Sequence, residues 1–154
     1  MKETETLIKR VIPYLARRGY EIENNMFFEE LVKSDDKAMF LDIVIKKSKA
    51  STKSLFLIEV KRDTLKLEQN HINQAIKYGE NSSVPFVVVT NGIEFRMYNV
   101  KNKKRISFNG MMLSKIPSYE ALETVLKFFK NNPELDDITL TDNSLPFRPT
   151  VSAS

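Results

Sequence analysis

Two apolar runs in this chain carry ionisable residues where a buried strand ordinarily has none. The first is Phe40-Leu41-Asp42-Ile43-Val44-Ile45, and the second, Leu55-Phe56-Leu57-Ile58, closes on Glu59-Val60-Lys61. Desolvating a lone charge costs several kcal/mol, so two carboxylates and an ammonium placed here ask for a metal ion, a phosphate or one another. Both segments are apolar on both faces, the mark of interior strands covered on two sides. The period of two sets Leu55, Leu57, Glu59 and Lys61 on one face and Phe56, Ile58 and Val60 on the other. A hairpin through the segment 47–54 would bring Asp42 beside Glu59 and Lys61.

The remaining pattern surrounds these strands with helices. Leu7, Ile8, Val11, Ile12 and Leu15 make a helical stripe over about Glu3 to Arg18, closed by Gly19, and Pro13 predicts a kink or break near Lys9 to Ile12. Tyr20 to Val32 reads as one extended or bent strand. A second helix is expected from about Lys66 to Glu80, with Ile72, Ala75, Ile76 and Gly79 facing a sheet and Gln74 and Tyr78 at the border of that face. Val84 to Thr90 is a strong strand, Asn91-Gly92 a turn, Ile93 to Val100 the returning strand and Ile106 to Phe108 a short one. Ser118 caps a last helix that ends before Pro133. The expected architecture is α/β, a mixed central sheet flanked by α-helices. Residues 1–132 form the domain, and 133–154 read as a polar tail or linker.

Composition bounds the chemistry. With 154 residues and 42% apolar content, one domain with a single core is expected. The absence of cysteine removes disulfides, thiolate nucleophiles and Cys-based zinc sites, and suggests a reducing, cytoplasmic setting. No run is long enough to span a membrane. The net charge of +4 is unevenly placed: Lys46, Lys47, Lys49 and Lys53 crowd one loop, and Lys101, Lys103, Lys104 and Arg105 another. Such loops suit a phosphate backbone such as DNA, or are simply solvated lysine-rich turns.

Phosphodiester hydrolysis without cysteine or a histidine pair points to metal-activated water. Magnesium prefers oxygen ligands and is held by one or two carboxylates, which Asp42 and Glu59 would supply, with the Val60 carbonyl as a third ligand. Manganese would fit the same donors. Lys61 could orient or deprotonate the attacking water and offset developing charge. Glu3 or Glu5, on opposite margins of the first helical stripe, could complete a second ion position. The alternative is a cluster in which Asp42, Glu59 and Lys61 satisfy only each other. The single histidine, His71, shares a stripe with Gln74 and Tyr78 and reads as exposed on its helix, with a DNA contact as the rival reading. Phe95, Tyr98, Met111-Met112 and Phe128-Phe129 read as core or strand residues.

Asp42 followed by Glu59-Val60-Lys61 resembles the signature of the PD-(D/E)XK nuclease superfamily. Gln74-Ala75-Ile76-Lys77-Tyr78 resembles the Q-x-x-x-Y motif of the N-terminal nuclease domain of type I restriction enzyme R subunits. Val84 to Gly92 and the opening Glu3-Thr4-Glu5-Thr6 with Ile12-Pro13 are similar to that family's strand-turn and first helix. The resemblance spans Glu3 to Tyr98 and implies a restriction-endonuclease-like fold and a magnesium-dependent nuclease. Asp42 and Glu59 would be metal ligands, Lys61 catalytic, Glu5 the first-helix acid in preference to Glu3, and Gln74 and Tyr78 site-supporting or DNA-contacting. The superfamily's proline before the first acid is replaced by Leu41. No Gly-rich Walker A sequence occurs, so the ATP-driven motor of R subunits is missing from this chain. Motor or specificity subunits would then be partners on other chains. A nuclease-fold domain that binds nucleic acid or protein without cutting is the rival reading.

Overall fold

A computed structural model describes residues 2–32, 39–106, 116–131, 138–140 and 149–151. The first helical segment, α1 (Glu3–Thr6), runs into a wider π-helical stretch, Leu7–Val11, and then into α2 (Ile12–Arg17). Pro13 explains the widening. It has no N–H to return to Lys9, and around it the Ile12 N–H reaches back five residues to the Leu7 carbonyl. The kink expected near Lys9 to Ile12 is thus a π-bulge.

Tyr20 to Val32 is not a single strand. Residues Ile22–Asn25 make one helical turn, α3, before β1 (Met26–Val32). Asn25 closes that turn from both directions, its N–H donating to the Glu21 carbonyl (2.8 Å) and its Oδ1 accepting the Glu21 N–H (2.9 Å). β2 (Met39–Lys46) and β3 (Ser54–Val60) form the expected hairpin pair. α4 (Gln69–Ser82) begins three residues later than its periodicity suggests. Glu68 and His71 form a reciprocal capping box there, with His71 Nδ1 accepting the Glu68 N–H at 3.1 Å. The lone histidine therefore has a capping role. β4 (Phe86–Thr90), β5 (Phe95–Asn99), β6 (Arg105–Ile106) and α5 (Tyr119–Asn131) follow. Beyond α5, Ile138–Leu140 pairs antiparallel with Pro149–Val151. The expected strand beyond Ile106 falls on residues outside those described.

The main sheet has the order β1-β2-β3-β4-β5-β6. Only β3 and β4 are parallel, joined through α4. One face, with Ile43, Phe56, Ile58, Val88 and Met97, packs on Leu7, Val11 and Leu15 of the first helix and on Leu122 and Val125 of α5. The other, with Val44, Leu57, Val87 and Val89, packs on Ile72, Ala75 and Ile76 of α4. These two cores make the sheet the middle layer of three. α4 lies close to the sheet because residue 79 is glycine, where a Cβ would come within 2.7 Å of both Val87 and Val100.

Candidate active site

The register sets Asp42 directly opposite Glu59 across β2 and β3. Opposed residues in an antiparallel pair share a face, and the alternation with Val44 and Leu57 puts this pair on the α4 face. Glu59 is fully buried and Lys61 is 3% exposed. The Lys61 Nζ lies 3.1 Å from Glu59 Oε1, yet neither carboxylate oxygen has a hydrogen-bond partner. The contact is an ion pair without hydrogen-bond alignment, so a buried carboxylate keeps its lone pairs uncommitted. Buried acceptors are ordinarily hydrogen-bonded, and the described charge that compensates this one is the Lys61 ammonium.

Lys61 is held by backbone bonding beyond the end of β3. Its N–H donates to the Thr90 carbonyl at 2.7 Å, extending the parallel ladder by one step. The Thr90-Asn91-Gly92 turn fixes the next segment. Asn91 Nδ2 donates to the Leu65 carbonyl (2.9 Å), and Asn91 Oδ1 accepts the N–H groups of Ile93 (3.0 Å) and Glu94 (2.8 Å). The sequence shows a turn at Asn91-Gly92, but nothing in its spacing shows that Asn91 ties the chain after Lys61 to that turn. Only the fold brings Leu65 within reach.

The first helix meets the same end of the sheet. A Cβ at Gly92, whose φ is +85°, would lie 2.8 Å from Thr6 Cγ2 and from Arg10 Cδ, so glycine permits both the turn and this close approach. Arg10 also reaches Asp63, just past Lys61, at 3.7 Å. Glu3 is half-buried and one helical turn before Thr6, on the same side. Glu5 is 49% exposed and pairs with Lys9 at 3.8 Å. Of the two first-helix acids, Glu3 is the one on the sheet side.

Gln74 is exposed on α4, while Tyr78 is half-buried and packs against the cluster that holds Val44, Leu57 and Val89. Val60 is buried between Glu59 and Lys61. The lysine loops are elsewhere. Lys46 pairs with Ser54 at the start of β3, and Asn99, which opens the second loop, pairs with Phe86 at the start of β4. Both loops thus lie at the pole of the sheet opposite Glu59, about 17 Å away at about 3.3 Å per residue. Lys46 stands over the Phe27 ring (4.9 Å), Lys47 is ion-paired with Glu123, and Lys49 is exposed. A cleft opens at this far pole between Ser54, Phe86 and the end of α4, away from the acids. Among the described side chains no group of three metal-ligating residues occurs, and Asp42 is not one of those side chains. No helix among the described residues is long and apolar enough to cross a membrane.

Residues 5–117 match the family model of the type I restriction enzyme R protein N terminus. The chain belongs to that family. A solved structure ascribed to a fragment of an HsdR subunit of a type I restriction enzyme from Vibrio vulnificus YJ016 is similar in fold, with a TM-score of 0.60 at 20% sequence identity. The likeness covers 85% of this chain and 26% of that one, so the R-protein N terminus described here spans about a quarter of that relative. No curated protein matches the chain. Membership agrees with the α/β fold.

Proposed function

We propose that this R-protein N terminus is a restriction-type endonuclease domain that hydrolyses DNA phosphodiesters with a divalent cation, magnesium or manganese. The observation that carries the reading is Glu59: wholly buried, without a hydrogen bond to either carboxylate oxygen, beside Lys61 and in register with Asp42. This all-oxygen donor set fits the ion. Asp42 and Glu59 would hold it, with the Val60 carbonyl next to them. A divalent cation bound there supplies electrophilic activation of water and phosphate. Lys61 holds a buried ammonium beside Glu59, where it would offset negative charge growing on the phosphate oxygens. The Thr90 and Asn91 bonds hold the backbone around Lys61 so that this charge needs no reorganisation. Motor and specificity functions would reside in sequence or subunits beyond this domain.

The test is incubation of supercoiled plasmid with the chain and manganese. Nicking by the wild type should vanish in Asp42→Asn, Glu59→Gln and Lys61→Ala. Cleavage that survives in Glu59→Gln would place the chemistry elsewhere. Salt-dependent DNA binding without nicking by the wild type would make this a binding domain.

A further inference from the structure

The β5–β6 hairpin concentrates the positive charge of the molecule. From Glu94 to Arg105 the chain sets Arg96, Lys101, Lys103, Lys104 and Arg105 against the one acid Glu94. Five cations less one acid give this segment +4, which equals the net charge of the whole chain. The remaining residues are neutral in sum, so the excess field of the molecule arises from this hairpin.

Register fixes where these charges stand. Arg96 is opposite Val89, and Arg105 is opposite Tyr98. Val89 and Tyr98 both belong to the core beneath α4, so the two arginines stand on the α4 face of the sheet. Val89 is paired on its other side with Glu59. Arg96 therefore shares the row of Glu59, two strand spacings or about 10 Å away. From that row the hairpin runs to the lysine loop at the far pole.

These side chains differ from solvated surface charges in two respects. Arg96 and Arg105 are only 24% and 18% exposed, and one carboxylate orients both. Arg96 Nε donates to Glu94 Oε1, and Arg105 Nη2 lies 3.9 Å from the same oxygen. Burial lowers the pKa of Arg105, so an incoming anion would offset a cost that the fold already bears. The loop is also built to a fixed shape. Lys103 has φ +64°, a left-handed conformation that glycine or asparagine adopts more easily. Its N–H donates to the Asn99 carbonyl (2.8 Å), and the Asn99 N–H donates to the Lys104 carbonyl (2.9 Å).

We infer that the β5–β6 hairpin is the track on which duplex DNA lays a phosphate backbone, with Arg96 and Arg105 gripping phosphates on the α4 face and Lys101 and Lys103 neutralising those toward the far pole. The inference deepens the DNA reading above and rests on it. A planar guanidinium matches two phosphate oxygens at once, whereas an ammonium acts as a point charge. The arginines thus locate the backbone, and the loop lysines add attraction.

The experiment is fluorescence anisotropy of a short labelled duplex with the full chain, without divalent cation, over a series of salt concentrations. Plasmid nicking with manganese is measured in parallel. Arg96→Gln/Arg105→Gln should lower the slope of log affinity against log salt by about two, and so should Lys101→Ala/Lys103→Asn. The loop variant alters only exposed side chains and decides the matter if the arginine variant fails to fold. Lys127→Ala, on exposed α5 surface across the sheet, should keep the wild-type slope. A wild-type slope in the loop variant or in the folded arginine variant would overturn the inference, as would an equal fall in Lys127→Ala. If the wild type still nicks plasmid in that case, the nuclease reading stands without the track. Slopes that fall as expected without nicking would keep the track and remove the nuclease. No DNA binding by the wild type would remove both.

Discussion

The Lys61 ammonium sits 3.1 Å from Glu59 Oε1, with both side chains withdrawn from solvent and the carboxylate bonded to no hydrogen donor. Neither residue can lose the other cheaply. Removing one member of a buried pair leaves an uncompensated charge, whereas removing both does not.

Lys61→Met should therefore destabilise the chain by about 3 kcal/mol, and Glu59→Gln/Lys61→Met by clearly less. Urea denaturation of the two single variants and the double variant measures this as a coupling energy. Strictly additive effects would show that the pair does not interact.

Asn91→Ala removes three hydrogen bonds from a residue 9% exposed. Leaving buried partners unsatisfied should cost roughly 2–3 kcal/mol. The local sign is faster amide hydrogen exchange in the segment 62–66, released from the β4–β5 turn. Unchanged exchange there would mean that Asn91 does not hold the backbone following Lys61.

Tyr20 donates its hydroxyl to the Pro117 carbonyl at 2.8 Å, and burial pushes its ionisation far above the usual phenol range. Above about pH 10 the unfolded chain releases this proton and the folded chain keeps it. Stability is then fully present below that pH and lost as pH rises beyond it. Tyr20→Phe should flatten the alkaline fall in stability. An equally steep fall in the variant would assign it to other groups.

Lys49 and Lys53 lie at the pole remote from Glu59. Replacing both with alanine should weaken DNA binding and lower its salt slope by about one unit for each phosphate no longer neutralised. The cleavage rate of bound DNA at low salt should not change. A slower rate at saturating DNA would place these lysines in the chemistry.

Local signals were sufficient wherever chain neighbours decide the outcome. Pro13 predicts the disturbance in the first helix because the missing N–H is a property of that residue. The apolar face of α4 follows from 3.6-residue periodicity, and Ile72, Ala75, Ile76 and Gly79 are its buried residues. The strands around Asp42 and Glu59 were legible from apolar runs interrupted by charge, and their hairpin from the polar loop between them. The helical turn at Ile22–Asn25 was not legible, since it depends on one side-chain bond that Asn25 makes back to Glu21.

By itself the sequence determined most of the helices and strands and the apolar run that buries Glu59 and Lys61, because each of these is written in residues close together along the chain. Tertiary structure decided which charges meet. Strand register put Asp42 opposite Glu59, and strand direction sent the lysine loops to the far pole. A register shift of one residue moves every side chain to the opposite face. That information resides in pairing between distant strands and not in any local pattern.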